Sequence, residues 1–173
     1  LDPDISVPDP QTGRKRLSDL GMRFESAPAK VAVVTSSIAY EARIVLGEVF
    51  KRVADQIRAW PTGTRAADMA EEGIESFFDA LITASDSSEI RLKPHRDLYS
   101  IALHALGISP SDFCRVLGFE DSESGAIAIR AAGVGLCVAV PFADTAGHNL
   151  SGAAHILPGG LPQAVLEKNL FLK

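Results

Sequence analysis

Three short polar clusters in the sequence carry residue types that can handle a phosphoryl group. Thr35 and Ser36 offer hydroxyl and backbone N–H groups next to a helix start, which suit phosphate oxygens. Lys93 offers an ammonium group that neutralises phosphate charge. Glu120 and Asp121 are adjacent carboxylates without a basic neighbour, an oxygen-rich place for Mg²⁺. Together these residue types predict a metal-assisted phosphoryl-transfer site.

Each cluster also has an ordinary structural explanation. The hydroxyls of residues 35–37 can cap the helix that follows them. Lys93 can be a solvated surface lysine. Glu120 and Asp121 can form an acidic helix start that complements the helix dipole. The functional interpretation therefore requires the three clusters to converge, and placement on different sides of the molecule would contradict it.

The elements that must position these clusters alternate along the chain. Short apolar runs predict strands, and stretches with an apolar residue every three or four positions predict helices. Strands are expected at 30–35, 77–83, 113–119 and 135–140 with an edge strand at 153–157, and helices at 38–57, from Pro94 to Gly107, at 123–132 and at 162–168. This alternation predicts an α/β fold with a mostly parallel sheet covered by helices on both faces. Active sites of such folds lie outside the carboxyl ends of the strands.

The length and composition favour one principal domain. The 173 residues are 46% apolar, enough for one core. Residues 1–29 are rich in proline and are expected to be a linker or the remnant of an upstream segment. Residues 30–173 are expected to form the core domain, with a helical insertion at about 60–76 that serves as packing or partner surface.

Charge and hydropathy limit the partners. A net charge of −5 argues against a nucleic-acid-binding surface. No apolar run approaches the roughly 20 residues that cross a bilayer, so no membrane partner is expected. We expect a soluble, cytoplasmic protein in which Cys114 and Cys137, each in an apolar run, are reduced core residues.

Three regions of the chain carry motifs whose order and spacing are distinctive. They are VAVVTSS at 31–37, KPHRDLY at 93–99 with ALHALG at 102–107, and GFEDSESG at 118–125 with RAAG at 130–133. These segments are similar to motifs II, III and IV of the haloacid dehalogenase-like hydrolase superfamily. They resemble most the β-phosphoglucomutase-like phosphatases, whose third and fourth motifs read K-P-x-P-D-x-Y and F-E-D-S-x-x-G. The resemblance covers about residues 30–168. It implies that Ser122 and Gly125 shape the loop and helix start, and His95 replaces a proline at a position that is usually exposed.

The resemblance also implies roles for the chemical residues. Thr35 would hold the transferring phosphoryl group through its hydroxyl, with help from the Ser36 backbone. Lys93 would pair with the phosphate and with the nucleophile. Asp121, assisted by Glu120, would bind Mg²⁺. The implied fold is the Rossmann-like core of the superfamily.

The implied activity is that of a Mg²⁺-dependent phosphohydrolase. It would act on a small phosphorylated metabolite, with a sugar phosphate as one option, through an aspartyl-phosphate intermediate. A phosphomutase differs only in the group that accepts the phosphoryl group, and a catalytically inactive binding or assembly module is a further alternative. A receiver-like signalling domain would need its acidic pair near the first strand, which this chain does not have.

The nucleophile motif of the superfamily, D-x-D-G-T on the first strand, is absent from the 173 residues. Asp2 and Asp4 form a D-x-D, but only Leu1 precedes them and Ile5 and Ser6 replace the Gly-Thr. The resemblance places the first strand between those of motifs II and IV, so its loss leaves two interior edges unpaired. We therefore expect a core that lacks its first strand and cap, with an N-terminal segment of a longer protein supplying the nucleophile strand.

Overall fold

The computed structural model describes residues 29–57 and 74–167. The predicted α/β alternation is confirmed within these ranges. The strands are β1 (Ala32–Val34), β2 (Ala80–Ile82), β3 (Leu117–Glu120), β4 (Leu136–Ala139) and β5 (His155–Ile156), and the helices are α1 (Ala39–Ile57), α2 (Asp97–Ala105), α3 (Glu123–Ala131) and α4 (Gly160–Leu166). The expected linker and most of the expected insertion lie outside the described residues. A 3₁₀ helix, Ile74–Phe77, covers the end of that insertion.

The strands form two parallel sheets rather than one. β1 pairs with β2, with Val33 opposite Leu81. β3 pairs with β4, and β4 pairs with β5. In the described part of the chain, β1 and β3 each pair along one edge. All strands point the same way within their sheets, so each sheet has its carboxyl ends along one rim.

Helix α2 joins the two sheets. Leu98 and Ala102 on one side of α2 pack in a cluster with Ile82 of β2. Tyr99 and Leu103 on its other side pack in a cluster that includes Ile129 of α3. Leu98 and Ile129 are fully buried, and each such side chain contributes about 2 kcal/mol of hydrophobic stabilisation. The sheets therefore share a core although their strands do not pair.

Helices α2 and α3 both end where the sequence predicts. Gly107 and Gly133 have φ of 65° and 82°, the left-handed conformation in which glycine has no Cβ clash. After α2, Ile108 N donates to Leu103 O and Gly107 N to His104 O. Val134 and Gly133 repeat this pattern after α3. Both ends are thus Schellman motifs, which satisfy the last carbonyls of each helix.

Helix α1 forms where the sequence predicts it, but its expected apolar face is only partly covered in the described structure. Ala42 is buried, whereas Val45 and Val49 of the same predicted face are 61% and 51% exposed. Phe50 contacts Phe77 and Phe78, with ring centroids 5.0 and 5.2 Å apart. No helix within the described ranges is long and apolar enough to cross a membrane.

Two predicted strands begin later than expected. Residues 113–115 belong to a 3₁₀ helix, Pro110–Arg115, because Pro110 starts a helical turn and Asp112 N donates to Ser109 O. Phe77 likewise ends a 3₁₀ helix, and β2 begins at Ala80. A short apolar run fits a buried helical turn as well as a strand, so periodicity alone cannot separate them.

Two further expectations are wrong. Helix α2 begins at Asp97 rather than at Pro94, because a turn closed by His95 N and Leu92 O comes first. Cys114 is exposed, since it lies on the outer side of its 3₁₀ helix, whereas Cys137 is buried as expected.

Candidate active site

Lys93 connects the carboxyl ends of β1 and β3. Its ammonium group donates to the Val34 carbonyl at 3.0 Å and to the Glu120 Oε1 atom. Val34 is the last residue of β1 and Glu120 the last of β3. The Lys93 side chain is only 12% exposed, so it is not an ordinary solvated lysine. Two of its three N–H donors are used by these partners, which leaves one donor for a ligand.

The Glu120 carboxylate lies in a closely packed, polar environment. Its Oε1 atom accepts hydrogen bonds from Lys93 and from the Tyr99 hydroxyl, and Ser122 Oγ lies 3.4 Å from its Oε2 atom. The carboxylate lies against the Cα atom of Gly125, and a Cβ at that position would overlap it. A buried carboxylate needs this complement of donors to remain charged. Gly125 is therefore the residue that makes room for the Lys93–Glu120 ion pair.

Tyr99 is the second donor to Glu120. Burial, together with the nearby Glu120 charge, raises the pKa of Tyr99 well above its usual range. The phenol therefore remains a neutral hydrogen-bond donor at physiological pH. The Lys93 ammonium also lies 5.1 Å from the centroid of the Tyr99 ring, within the range of a cation–π interaction.

The hydroxyl cluster after β1 forms a loop of its own. Ser37 N donates to Thr35 Oγ1 at 3.1 Å, so the Thr35 hydroxyl proton remains for a phosphate oxygen. Ser36 is exposed next to it. The hydroxyl that accepts from the first turn of α1 is that of Ser85, at 3.1 Å from Ala39 N. The helix-capping explanation thus applies to Ser85 rather than to Thr35.

Asp121 and Ser122 follow directly after β3. Ser122 is the N-cap of α3, and its hydroxyl accepts from Gly125 N at 3.2 Å, as the motif implies. The acid in the first turn of α3 is Glu123, so the dipole explanation does not apply to Glu120 or Asp121. Asp121 is half-buried, and its carboxylate forms no hydrogen bond or ion pair with the described residues.

These residues fit a divalent cation. Lys93 carries one positive charge, and Glu120 and Asp121 carry two negative charges, so the cluster attracts a cation before a phosphate. A half-buried carboxylate such as that of Asp121 is a hard oxygen ligand, and Mg²⁺ often takes one or two carboxylates with waters and a phosphate. No group of three or more His, Cys, Asp or Glu side chains suited to a metal occurs in the described residues. Water, substrate or a further segment must therefore complete the coordination.

An open cavity of about 320 Å³ borders the start of α3. Its lining consists of Pro94, Glu123, Ser124, Ile127 and His148. The Nδ1 atom of His148 accepts a hydrogen bond from Glu123 N at 3.4 Å. Pro94 follows Lys93 in sequence, but none of the candidate phosphate- or metal-binding residues lines this cavity.

The sequence pattern gave no role to two residues of this site. Tyr99 lies on the buried stripe of α2, and its place as the last residue of the KPHRDLY segment is the signal that could have indicated it. Ser85 comes from the loop after β2 and is 46 positions from the helix it caps, so no local pattern indicates it. Of the predicted residues, Glu120 ends β3, and Thr35 and Asp121 directly follow β1 and β3. The Lys93 ammonium connects the ends of these two strands.

Comparisons with known proteins agree with this fold. YhcW of Bacillus subtilis, named as a candidate phosphatase, is 42% identical over 69 residues, which are 40% of this chain and 29% of YhcW. CbbY from Rhodobacter sphaeroides, solved in complex with phosphate, has a TM-score of 0.54 at 21% identity, over 90% of this chain and 55% of CbbY. A candidate β-phosphoglucomutase from Thermotoga maritima also has a TM-score of 0.54 at 21% identity, over 95% of this chain and 61% of the enzyme.

The chain thus spans less than two thirds of each of these proteins. No known protein-family profile matches it. Both solved structures have the Rossmann-type fold of the haloacid dehalogenase-like proteins, so the fold expected from the sequence is confirmed. The expected resemblance to phosphatases is confirmed over the 69 residues that are similar to YhcW.

Proposed function

We propose that this chain forms the phosphate- and metal-binding part of a Mg²⁺-dependent phosphohydrolase. Its substrate would be a small phosphorylated metabolite, with a sugar phosphate as one option. The observation that carries the proposal is the position of the Lys93 ammonium, which bonds to the Val34 carbonyl and to Glu120 at the ends of two strands. A buried lysine with an unused N–H donor is suited to bind a phosphate oxygen.

Each residue of the rim has a part in the proposed site. Thr35 and the Ser36 backbone bind the phosphoryl group, and Lys93 neutralises its charge. Asp121, with Glu120 beside it, holds Mg²⁺. The ion, when bound, supplies Lewis-acid stabilisation of the phosphoryl oxygens.

The proposed nucleophile is an aspartate on an upstream strand between β1 and β3. Its carboxylate oxygen forms a bond to phosphorus as the bond from phosphorus to the leaving oxygen breaks. Water then attacks the phosphorus, which releases phosphate and restores the carboxylate. In the described part of the chain, β1 and β3 each have one edge that pairs with no strand, which supports this proposal because an extended segment there would pair with both sheets.

The names of similar proteins support the reaction class. YhcW is named as a candidate phosphatase, and CbbY was solved with phosphate. The candidate β-phosphoglucomutase makes a phosphomutase the second candidate, with a sugar phosphate as acceptor. The free thiols suit a reducing compartment, and the cytoplasm is the proposed location.

Hydrolysis of p-nitrophenyl phosphate tests the proposal. The 173-residue chain and a longer form that carries the proposed upstream strand are each assayed with Mg²⁺ and with EDTA. We expect turnover by the longer form with Mg²⁺, and a drop in kcat of about a hundredfold for Lys93→Met. Asp121→Asn should also raise the Mg²⁺ concentration that turnover requires. Asp144→Asn, in an exposed loop, is the matched control and should change neither value.

The remaining outcomes separate the alternatives. Turnover by the 173 residues alone would place the nucleophile among them, with Asp2 and Asp4 as the candidates. Phosphate and Mg²⁺ binding without turnover in either form would favour an inactive binding module. Turnover that survives Lys93→Met would contradict the proposed role of the ion pair.

A further inference from the structure

Tyr99 is a buried polar residue to which the proposed chemistry assigns no role. Its hydroxyl donates to Glu120 Oε1, the same oxygen that accepts from Lys93. Its ring lies under the Lys93 ammonium. Tyr99 therefore contacts both members of the ion pair.

Two donors on one carboxylate oxygen compete for its charge. A hydrogen bond to a carboxylate is about twice as strong as one between neutral groups, and the low dielectric of a buried site strengthens it further. Without the phenol, Lys93 would be the one remaining donor to Glu120 Oε1 in the described part of the site. The ammonium would then be held more tightly by Glu120 and would be less available to an anion.

We propose that Tyr99 is a positioning residue, whose hydroxyl shares Glu120 Oε1 with Lys93 and so keeps the Lys93 ammonium available to a phosphate oxygen. The inference rests on the proposed phosphate site. It adds a residue that acts through Glu120 and does not itself contact the phosphoryl group.

The test compares Tyr99→Phe with Tyr40→Phe in the full chain. Phenylalanine retains the ring below Lys93 and removes the hydroxyl, and Tyr40, the other tyrosine of the sequence, is 72% exposed and serves as the matched control. Two quantities are measured for each variant. One is the dissociation constant of inorganic phosphate in the presence of Mg²⁺, and the other is the rate of reductive methylation of Lys93 followed by peptide mass spectrometry.

We expect Tyr99→Phe to weaken phosphate binding about five- to tenfold and to slow Lys93 methylation about threefold. Tyr40→Phe should change neither value. Glu120→Gln should speed methylation, because the anionic partner is gone. Adding Tyr99→Phe to Glu120→Gln should then have no further effect on the rate, since the hydroxyl acts through the carboxylate.

Two results would overturn the inference. Phosphate binding and methylation could both be unchanged in Tyr99→Phe, or methylation could be faster, which is the sign of a merely loosened site. Failure of the unsubstituted chain to bind phosphate would count against the proposed function instead, and the methylation rates would still decide the role of Tyr99.

If Tyr99→Phe does not fold, 3-fluorotyrosine in the Tyr40→Phe background replaces it. Its more acidic phenol should speed methylation, and a slower rate would overturn the inference.

Discussion

Removing the charge of Lys93 should destabilise the protein by more than a surface substitution would. The Lys93 and Glu120 side chains are 12% and 5% exposed, so the ion pair is largely excluded from water. Breaking a buried pair by removing one partner costs about 3–5 kcal/mol, because the other charge is left uncompensated. In Lys93→Met, Glu120 retains the Tyr99 hydroxyl as a donor. We therefore expect the lower end of that range, about 3 kcal/mol.

A double-mutant cycle isolates the pair. Glu120→Gln should cost about 1–2 kcal/mol, because Lys93 retains the Val34 carbonyl and partial contact with water. The double variant should cost about 2–3 kcal/mol, less than the two single variants combined, which gives a coupling energy of about 2 kcal/mol. Urea unfolding followed by far-UV circular dichroism measures all four proteins.

The surface pair Arg91–Asp97 is the matched control for this cycle. Its side chains are 68% and 21% exposed, so solvent screens the interaction. Arg91→Met and Asp97→Asn should show a coupling several times smaller than that of Lys93 and Glu120. A coupling near zero for Lys93 and Glu120, or full stability of Lys93→Met, would refute the buried ion pair.

Two further predictions concern a close contact and the thiols. Gly125→Ala should destabilise the protein by about 2–3 kcal/mol, because its Cβ would overlap the Glu120 carboxylate. Gly47→Ala, a helical position with no neighbouring atom within 4 Å, should instead stabilise by about 0.5–1 kcal/mol in the same urea titration. Burial raises the pKa of Cys137 to about 11, so the native protein should release one equivalent of colour with Ellman's reagent at pH 8, from Cys114. In the unfolded chain the Cys137 thiol has a pKa near 9.0, so it ionises at a lower pH than in the folded protein. The contribution of Cys137 to the free energy of unfolding is therefore fully present below pH 9 and falls as the pH rises to 11. Two reactive native thiols, or stability that rises over that interval, would contradict the assignment.

Local patterns in the sequence predict those features that depend on few neighbours. Gly107 and Gly133 mark the ends of α2 and α3 because a left-handed residue after a helix is best provided by glycine. Ser122 was expected at the start of α3 and is its N-cap. The start of β3 was placed too early, because a short apolar run does not distinguish a 3₁₀ turn from a strand.

The candidate site also has features that the sequence predicts and features that it does not. Its residue types were evident in the sequence, because a lysine, two adjacent carboxylates and a hydroxyl cluster are the groups that phosphate and Mg²⁺ require. The partners of those groups were not evident. Ser85 caps a helix 46 positions away, and Tyr99 reaches Glu120 across the interface of α2 and β3.

The sequence by itself determined the alternation of strands and helices, the ends of two helices and the chemistry available to the chain, because period, turn residues and side-chain type are local properties. The tertiary structure decided the pairing of the strands within the two sheets and the burial of Lys93 between Val34 and Glu120. These features depend on contacts 27 and 59 positions apart, and such contacts form only when packing around α2 brings the strand ends together.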